Sequence, residues 1–347
     1  MRELVEALCS EECAGRAPGR AGGREGRRII AEALATRGLV VHEQPVPDCG
    51  GANLLAKIPA AGASVGTTER WVLLGAHHDH LGRHGSETFW GADDNAAAVA
   101  ILVEAAGALV REPPTRRGVL VAFFDGEEPP HFLADGMGSN WYAAHPTIPL
   151  DRIDAMLCMD LVGHALGGPH FPEEVRGTVF ALGAERSTGT AAHLDQVADA
   201  EPGMWLRRLD AEMVPPLSDY AAFWSAGVPF VFLTCGRWRH YHTPDDTPEK
   251  LDYPKMAALA RWIQRWTRDT CARSEPRIRF TNQRDDAASV RTLIALTRAL
   301  EPIAPRATLG RRVAESLLAR CDAGGRLATA DLQDLRLLMH ELESDLG

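Results

Sequence analysis

No stretch of this 347-residue sequence is apolar for long enough to cross a bilayer. Its opening, MRELVEALCSEE, carries a charge every few residues and lacks the apolar core of a secretory signal. Cys-x-x-Cys pairs are also missing: the seven cysteines are odd in number and scattered, which fits reduced thiols better than a disulfide framework. Nor is there an excess of basic charge. With 37 Lys and Arg against 47 Asp and Glu, the formal charge of -10 argues against a protein that grips nucleic-acid phosphates. There is no internal repeat. These absences lead us to expect a cytoplasmic protein with neither nucleic acid nor membrane as a partner. What remains is an ordinary globular composition, 45% apolar and 24% charged, able to bury a sizeable core.

From about residue 70 onward, short β-rich runs alternate with helical stretches. The runs at 70–76, 118–124, 153–159, 177–183 and 229–235 are almost continuously apolar, as strands covered on both faces should be. Helical spacing is read at 95–110, 185–198 and 219–227, the last stopped by Gly227. The expected class is α/β: a central, mostly parallel mixed sheet flanked by helices. Ahead of it, the glycine- and arginine-rich GRAPGRAGGREGRR leads into a helix over 22–37 closed by Gly38. After Cys271 the polar SEPRIRFTNQRDD introduces three amphipathic runs, at 286–300, 309–321 and 328–345. The organisation read here is a main domain over 1–272 and a helical extension over 273–347.

The fragment VLVAFFDGEEPPHF delivers a buried strand into two adjacent carboxylates, Glu127 and Glu128. Alone, acidic residues beside prolines are common turn material. Four other fragments change that reading. GAHHDH ends the first core strand, WGADDNAAAVA opens the next helix, MDLVG ends the third strand, and YHTPDDTPEKLD follows the last. Ligands in open α/β sheets gather outside the carboxyl ends of strands, so His77, Asp79, Glu127, Glu128, Asp160 and His242 are expected to share one crevice. Asp93 is expected at the entrance of the following helix, where the macrodipole favours a carboxylate. Two imidazoles and several carboxylates without cysteine suit zinc or a similar divalent ion. They are too many for one catalytic zinc, whereas two ions sharing a bridging carboxylate would use five ligands.

In this order, with SDYAAFWSAGVPFVFL, the blocks GAHHDH, GADDNAA, GEE, MDLVG and YHTPDDT resemble the co-catalytic zinc aminopeptidase family. That family also contains glutaminyl cyclases and glutamate carboxypeptidases. The N-terminal CAGRAPGRAGGREGRRIIAEAL is similar to the segment that precedes the family's catalytic sheet, and the likeness spans roughly residues 8–270. The GEEPPHFLADGMGS stretch looks like a bacterial peptidase branch with a lengthened loop.

The resemblance implies a zinc exopeptidase fold and two zinc ions per chain. His77 and Asp160 would hold one ion, Glu128 and His242 the other, and Asp93 would bridge them. It also implies that Glu127 is the general base and that Asp79 fixes the His77 tautomer. Tyr241 would donate a hydrogen bond to the scissile carbonyl. The implied reaction is hydrolysis of the first peptide bond of substrates with a free N-terminus.

The remaining residues of the blocks have simpler readings. His78 and His80 are expected to be solvated or hydrogen-bonded, Asp94 to cap the helix or orient its neighbour, and Asp245 and Asp246 to serve the turn after His242. Three rival functions stay open at this stage. A glutaminyl cyclase would use related ligands to expel ammonia, and a non-catalytic binding module would normally have lost ligands or base. A carboxypeptidase would need a cationic anchor such as Arg237 or Arg239. The C-terminal helices offer a surface for a homo-oligomer.

Overall fold

The computed structural model describes residues 1–274 and 277–346, so Glu275 and Pro276 of the expected connector lie outside the described residues. Its strands are Val41–Val46 (β1), Gly51–Ile58 (β2), Trp71–His77 (β3), Gly82–His84 (β4), Glu87–Phe89 (β5) and Gly118–Phe124 (β6). These are followed by Ile153–Met159 (β7), Thr178–Leu182 (β8), Trp205–Leu209 (β9) and Phe230–Thr234 (β10). β4 and β5 form a separate hairpin, and the others make one eight-stranded sheet in the order β1-β2-β6-β3-β7-β10-β8-β9. The central strands β6, β3, β7 and β10 run parallel. Antiparallel pairings of β2 with β6 and of β8 with β10 make the sheet mixed.

All five strands expected from apolar runs are present, and β3, β6 and β7 are buried at every position. Three further strands of the large sheet carry no such run. β1 is an outer strand reading VHEQPV and is mostly accessible; Gly51, Asn53 and Lys57 interrupt β2, and two arginines interrupt β9. Pairing rather than pattern makes these segments extended.

Helices cover the sheet. Ala98–Arg111 is buried along most of its length, and Tyr253–Ala272 packs beside it with Trp262 and Trp266 in the core. The helix expected over 185–198 contracts to Thr190–Val197, because Ser187 bridges to Phe280 and Gly189 holds a left-handed conformation. The C-terminal helices are Asp286–Leu300, Ala307–Arg320 and Thr329–Leu346. The first docks along β9, where Thr292 donates to the Arg208 carbonyl at 2.7 Å and Ser289 Oγ accepts the Asp210 N–H at 2.8 Å. Among the described residues no helix is long and apolar enough to cross a membrane.

Parallel alignment puts the carboxyl ends of β3, β6, β7 and β10 on one edge of the sheet. Each strand runs into a loop there: His77–His80, Asp125–Glu128, Asp160–His164 and Cys235–Asp246. Every chemical group picked out in the sequence lies on these loops or on the Gly91–Asn95 turn.

Candidate metal centre

At the end of β3 the fully buried His77 ring points its Nε2 at two carboxylates, Asp160 Oδ1 and Asp94 Oδ1, both at 3.4 Å. On the other side of Asp94, His242 Nε2 lies 3.1 Å from Asp94 Oδ2 and 3.1 Å from Glu128 Oε2. His80 Nδ1 is 2.7 Å from Glu128 Oε1 and 3.8 Å from Asp94 Oδ2. The donor atoms of His77, Asp94 and Asp160 lie within 4.8 Å of one another, as do those of His80, Asp94 and Glu128. One carboxylate therefore faces two neighbouring groups of ligands, one oxygen to each.

That carboxylate is Asp94, which corrects the expectation for Asp93. The Asp93 side chain turns the opposite way, accepting the N–H groups of Gly163 at 2.6 Å and His164 at 3.0 Å and facing His164 Nδ1 at 2.7 Å. The backbone supplies the reason. The expected helix does not run through this turn: Asp94 (φ −108°, ψ 86°) and Asn95 (φ −133°, ψ 29°) leave helical geometry, so adjacent carboxylates diverge. Gly163 is the residue that tolerates Asp93, since a Cβ there would sit 2.8 Å from Asp93 Oδ1.

The turn is held on three sides. Asp246, expected as a mere turn residue, accepts the Asp93 N–H at 2.9 Å and the Asp94 N–H at 3.1 Å, joining this turn to the loop that carries His242. Burial, reinforced by Asp93, pushes the Asp246 carboxyl up to about 7. Asn95 donates to the Met159 carbonyl beside Asp160. From the N-terminal segment, the buried Arg16 donates to the carbonyls of Trp90 (2.8 Å), Gly91 (2.7 Å), Leu8 (2.7 Å) and His78 (3.0 Å). Sequence reasoning named the GRAPG block without giving this arginine a task. Arg16→Ala is expected to destabilise the fold by at least about 3 kcal/mol, because several buried carbonyls lose a charged donor. Urea denaturation measures it.

Asp79 fastens the glutamate pair. Its Oδ1 accepts the Glu127 N–H and its Oδ2 the Glu128 N–H, both at 3.1 Å, while Oδ1 lies 3.5 Å from His77 Nδ1. Burial would raise the Asp79 carboxyl, but the His77 imidazole beside it, followed by His78, holds it below the usual carboxylate range. Gly126 makes the turn possible, with φ +70° and no room for a Cβ beside the Gly136 carbonyl.

Glu127 Oε2 lies 3.9 Å from His77 Nε2. Burial, with Asp160, Glu128 and Asp219 close by, pushes its carboxyl well above the ordinary range against the pull of His77. The Tyr241 ring stacks on His242 with centroids 3.8 Å apart, and burial followed by the carboxylates Asp94, Glu128, Asp160 and Glu127 raises its hydroxyl's pKa. His78 faces away, its Nε2 near the Ala52 carbonyl.

The donor set fits divalent cations. Asp94, Glu127, Glu128 and Asp160 are all buried, and so many carboxylates in one low-dielectric place require positive charge. His242 Nε2 lies close to two carboxylate oxygens without hydrogen-bonding geometry to either, and is buried without a partner. Lone pairs converging in this way suit an ion better than a proton.

Fold and centre together are those of a metallopeptidase. The chain belongs to peptidase family M28, whose model matches residues 53–267. It is 28% identical over 252 residues to the uncharacterized protein YfbL of Escherichia coli (strain K12), covering 66% of this chain and 75% of that one. Its fold is similar to that of the LapA aminopeptidase of Legionella pneumophila, with TM-score 0.62 and 15% identity over 79% of this chain and 73% of the other. The Porphyromonas gingivalis glutaminyl cyclase is also similar, with TM-score 0.60 and 21% identity over 76% of this chain and 95% of that one.

Proposed function

We propose that this protein is a zinc-dependent aminopeptidase that removes the first residue of peptides with a free N-terminus. The observation that carries this reading is Asp94, which turns one oxygen to His77 and the other to His242, with Glu127 beside them. His77 and Asp160 would hold one ion, Glu128 and His242 a second, and Asp94 would belong to both. When bound, such ions acidify water and polarise a carbonyl.

This chain's own residues supply the rest. Glu127, buried and with a raised affinity for protons, removes a proton from the attacking water and returns it to the departing amine. Asp79 fixes both Glu127 and the His77 ring. Tyr241 keeps its proton and can donate it in a hydrogen bond to the developing oxyanion. The surrounding carboxylates draw the substrate's ammonium group.

The test is hydrolysis of aminoacyl-p-nitroanilides by the zinc-loaded protein, beside a peptide with N-terminal glutamine. Chelator-sensitive release of nitroaniline is the expected result. Ammonia loss from the glutamine peptide, with no gain of water by any substrate, would replace the peptidase reading with cyclase chemistry. Independently of turnover, zinc at a hundred times its dissociation constant is expected to stabilise the fold by about 2.7 kcal/mol per site. A thermal melt with and without chelator reads this as a drop in Tm.

A further inference from the structure

The two oxygens of Glu128 have different partners. Oε2 lies 3.1 Å from His242 Nε2, on the side proposed for the second ion, whereas Oε1 lies 2.7 Å from His80 Nδ1. The His80 ring is fully buried and meets the His242 ring edge-on, with centroids 5.8 Å apart. The surrounding chain makes room for it. The His80 amide donates to the Arg16 carbonyl at 3.4 Å, and Gly91, with φ +58°, lies against the ring. A Cβ on Gly91 would sit 2.5 Å from His80 Cγ and Cδ2, so any larger residue at the start of the Asp93–Asp94 turn would push the imidazole off Glu128.

The donor atoms of His80, Asp94 and Glu128 lie within 4.8 Å of one another, so His80 could be either a further metal ligand or a hydrogen-bond donor to one. Its other ring nitrogen decides between these roles. An imidazole that binds metal through Nδ1 carries its proton on Nε2, and ligating histidines almost always donate that proton to an acceptor. His77 has a carboxylate for this purpose, with Asp79 Oδ1 3.5 Å from its Nδ1. His80 Nε2 is buried and, among the described residues, has no partner. With the proton instead on Nδ1, directed at Glu128 Oε1, the ring makes a charge-assisted hydrogen bond and leaves no N–H unpaired.

We propose that His80 is a positioning residue for the second ion: it donates its Nδ1–H to Glu128 Oε1 and thereby holds Glu128 to one ligating oxygen. The proposal rests on the zinc peptidase reading given above. Glu128 Oε2, His242 Nε2 and Asp94 Oδ2 are then three single-atom donors, the number that leaves a catalytic zinc a position for water or substrate. Without His80, Oε1 would be free to turn onto the ion and take that position. Asp79 does not prevent the turn, because it holds only the backbone N–H of Glu128.

The test compares His80→Leu and His80→Ala, which remove the donor, with His80→Asn, whose amide nitrogen can donate from the place of Nδ1. The first readout is the visible absorption of the cobalt-substituted full chain, which weakens as the metal gains donors. The second is kcat/KM of the zinc-loaded protein on leucine p-nitroanilide at saturating zinc. The leucine and alanine variants are expected to keep the wild-type metal content, to show weaker cobalt absorption, and to lose about 10–100-fold in kcat/KM. His80→Asn should restore both properties most of the way. Wild-type cobalt spectra in the leucine and alanine variants, or an asparagine variant as impaired as they are, overturn the proposal. So does loss of metal from all three variants alike, which would make His80 a ligand. If the wild type cleaves no substrate, the peptidase reading fails, while the cobalt spectra of the variants still decide the role of His80.

Discussion

Asp94→Ala is expected to lose bound zinc and all measurable peptidase activity, while Asp93→Asn keeps zinc with an affinity lowered about 10–100-fold. The two residues are neighbours of the same type, so composition and spacing treat them alike. The structure does not. Asp94 presents an oxygen to each of two ligand groups, and its removal leaves each group one donor short. Asp93 instead binds the Gly163–His164 backbone and the His164 ring, so its loss loosens the turn that aims Asp94. Metal content by mass spectrometry, measured after dialysis beside the wild type, discriminates between them. Full zinc in Asp94→Ala would remove the shared-ligand reading.

The second large effect belongs to Glu127. Glu127→Gln preserves size and hydrogen-bonding shape but cannot accept a proton, so kcat should fall by about 10²–10⁴-fold with zinc content and KM close to wild type. Its neighbour behaves differently: Glu128→Gln weakens a ligand shared with His242 and His80, and should lose metal first and rate as a consequence. Comparable activity in Glu127→Gln and wild type would leave the centre without its base. The split between rate and metal content is the informative result, because Asp79 holds the backbone of both glutamates and a general collapse of the loop would remove both properties together.

The sheet was legible because its central strands are buried on both faces. An unbroken apolar run such as GVLVAFF permits little else, and the residue after such a run lies at the sheet edge where chemistry gathers. That logic located His77, Glu127, Glu128, Asp160 and His242 without coordinates. It failed at Asp93 because a helical start was assumed for a turn that breaks helical geometry, and no propensity distinguishes one aspartate of a pair from the next. His80 is hydrogen-bonded, as expected, but its partner was not legible: a third imidazole in HHDH has no special spacing, and Glu128 approaches it from another strand. The tasks of Arg16 and Asp246 were not legible because they fasten backbone groups far away in sequence. The outer strands β1 and β9 gave no pattern because pairing, rather than burial on both faces, shapes them.

The grip of Asp246 on the Asp93–Asp94 turn has a consequence for synthesis. Its carboxylate reaches an amide 152 residues earlier in the chain. Until the ribosome has delivered that late aspartate, together with His242 just before it, the earlier turn lacks its fastening and the centre lacks one of its five proposed ligands. On the proposed peptidase reading, a nascent chain would be inert toward the peptide bonds around it until the loop beyond the last core strand has been made.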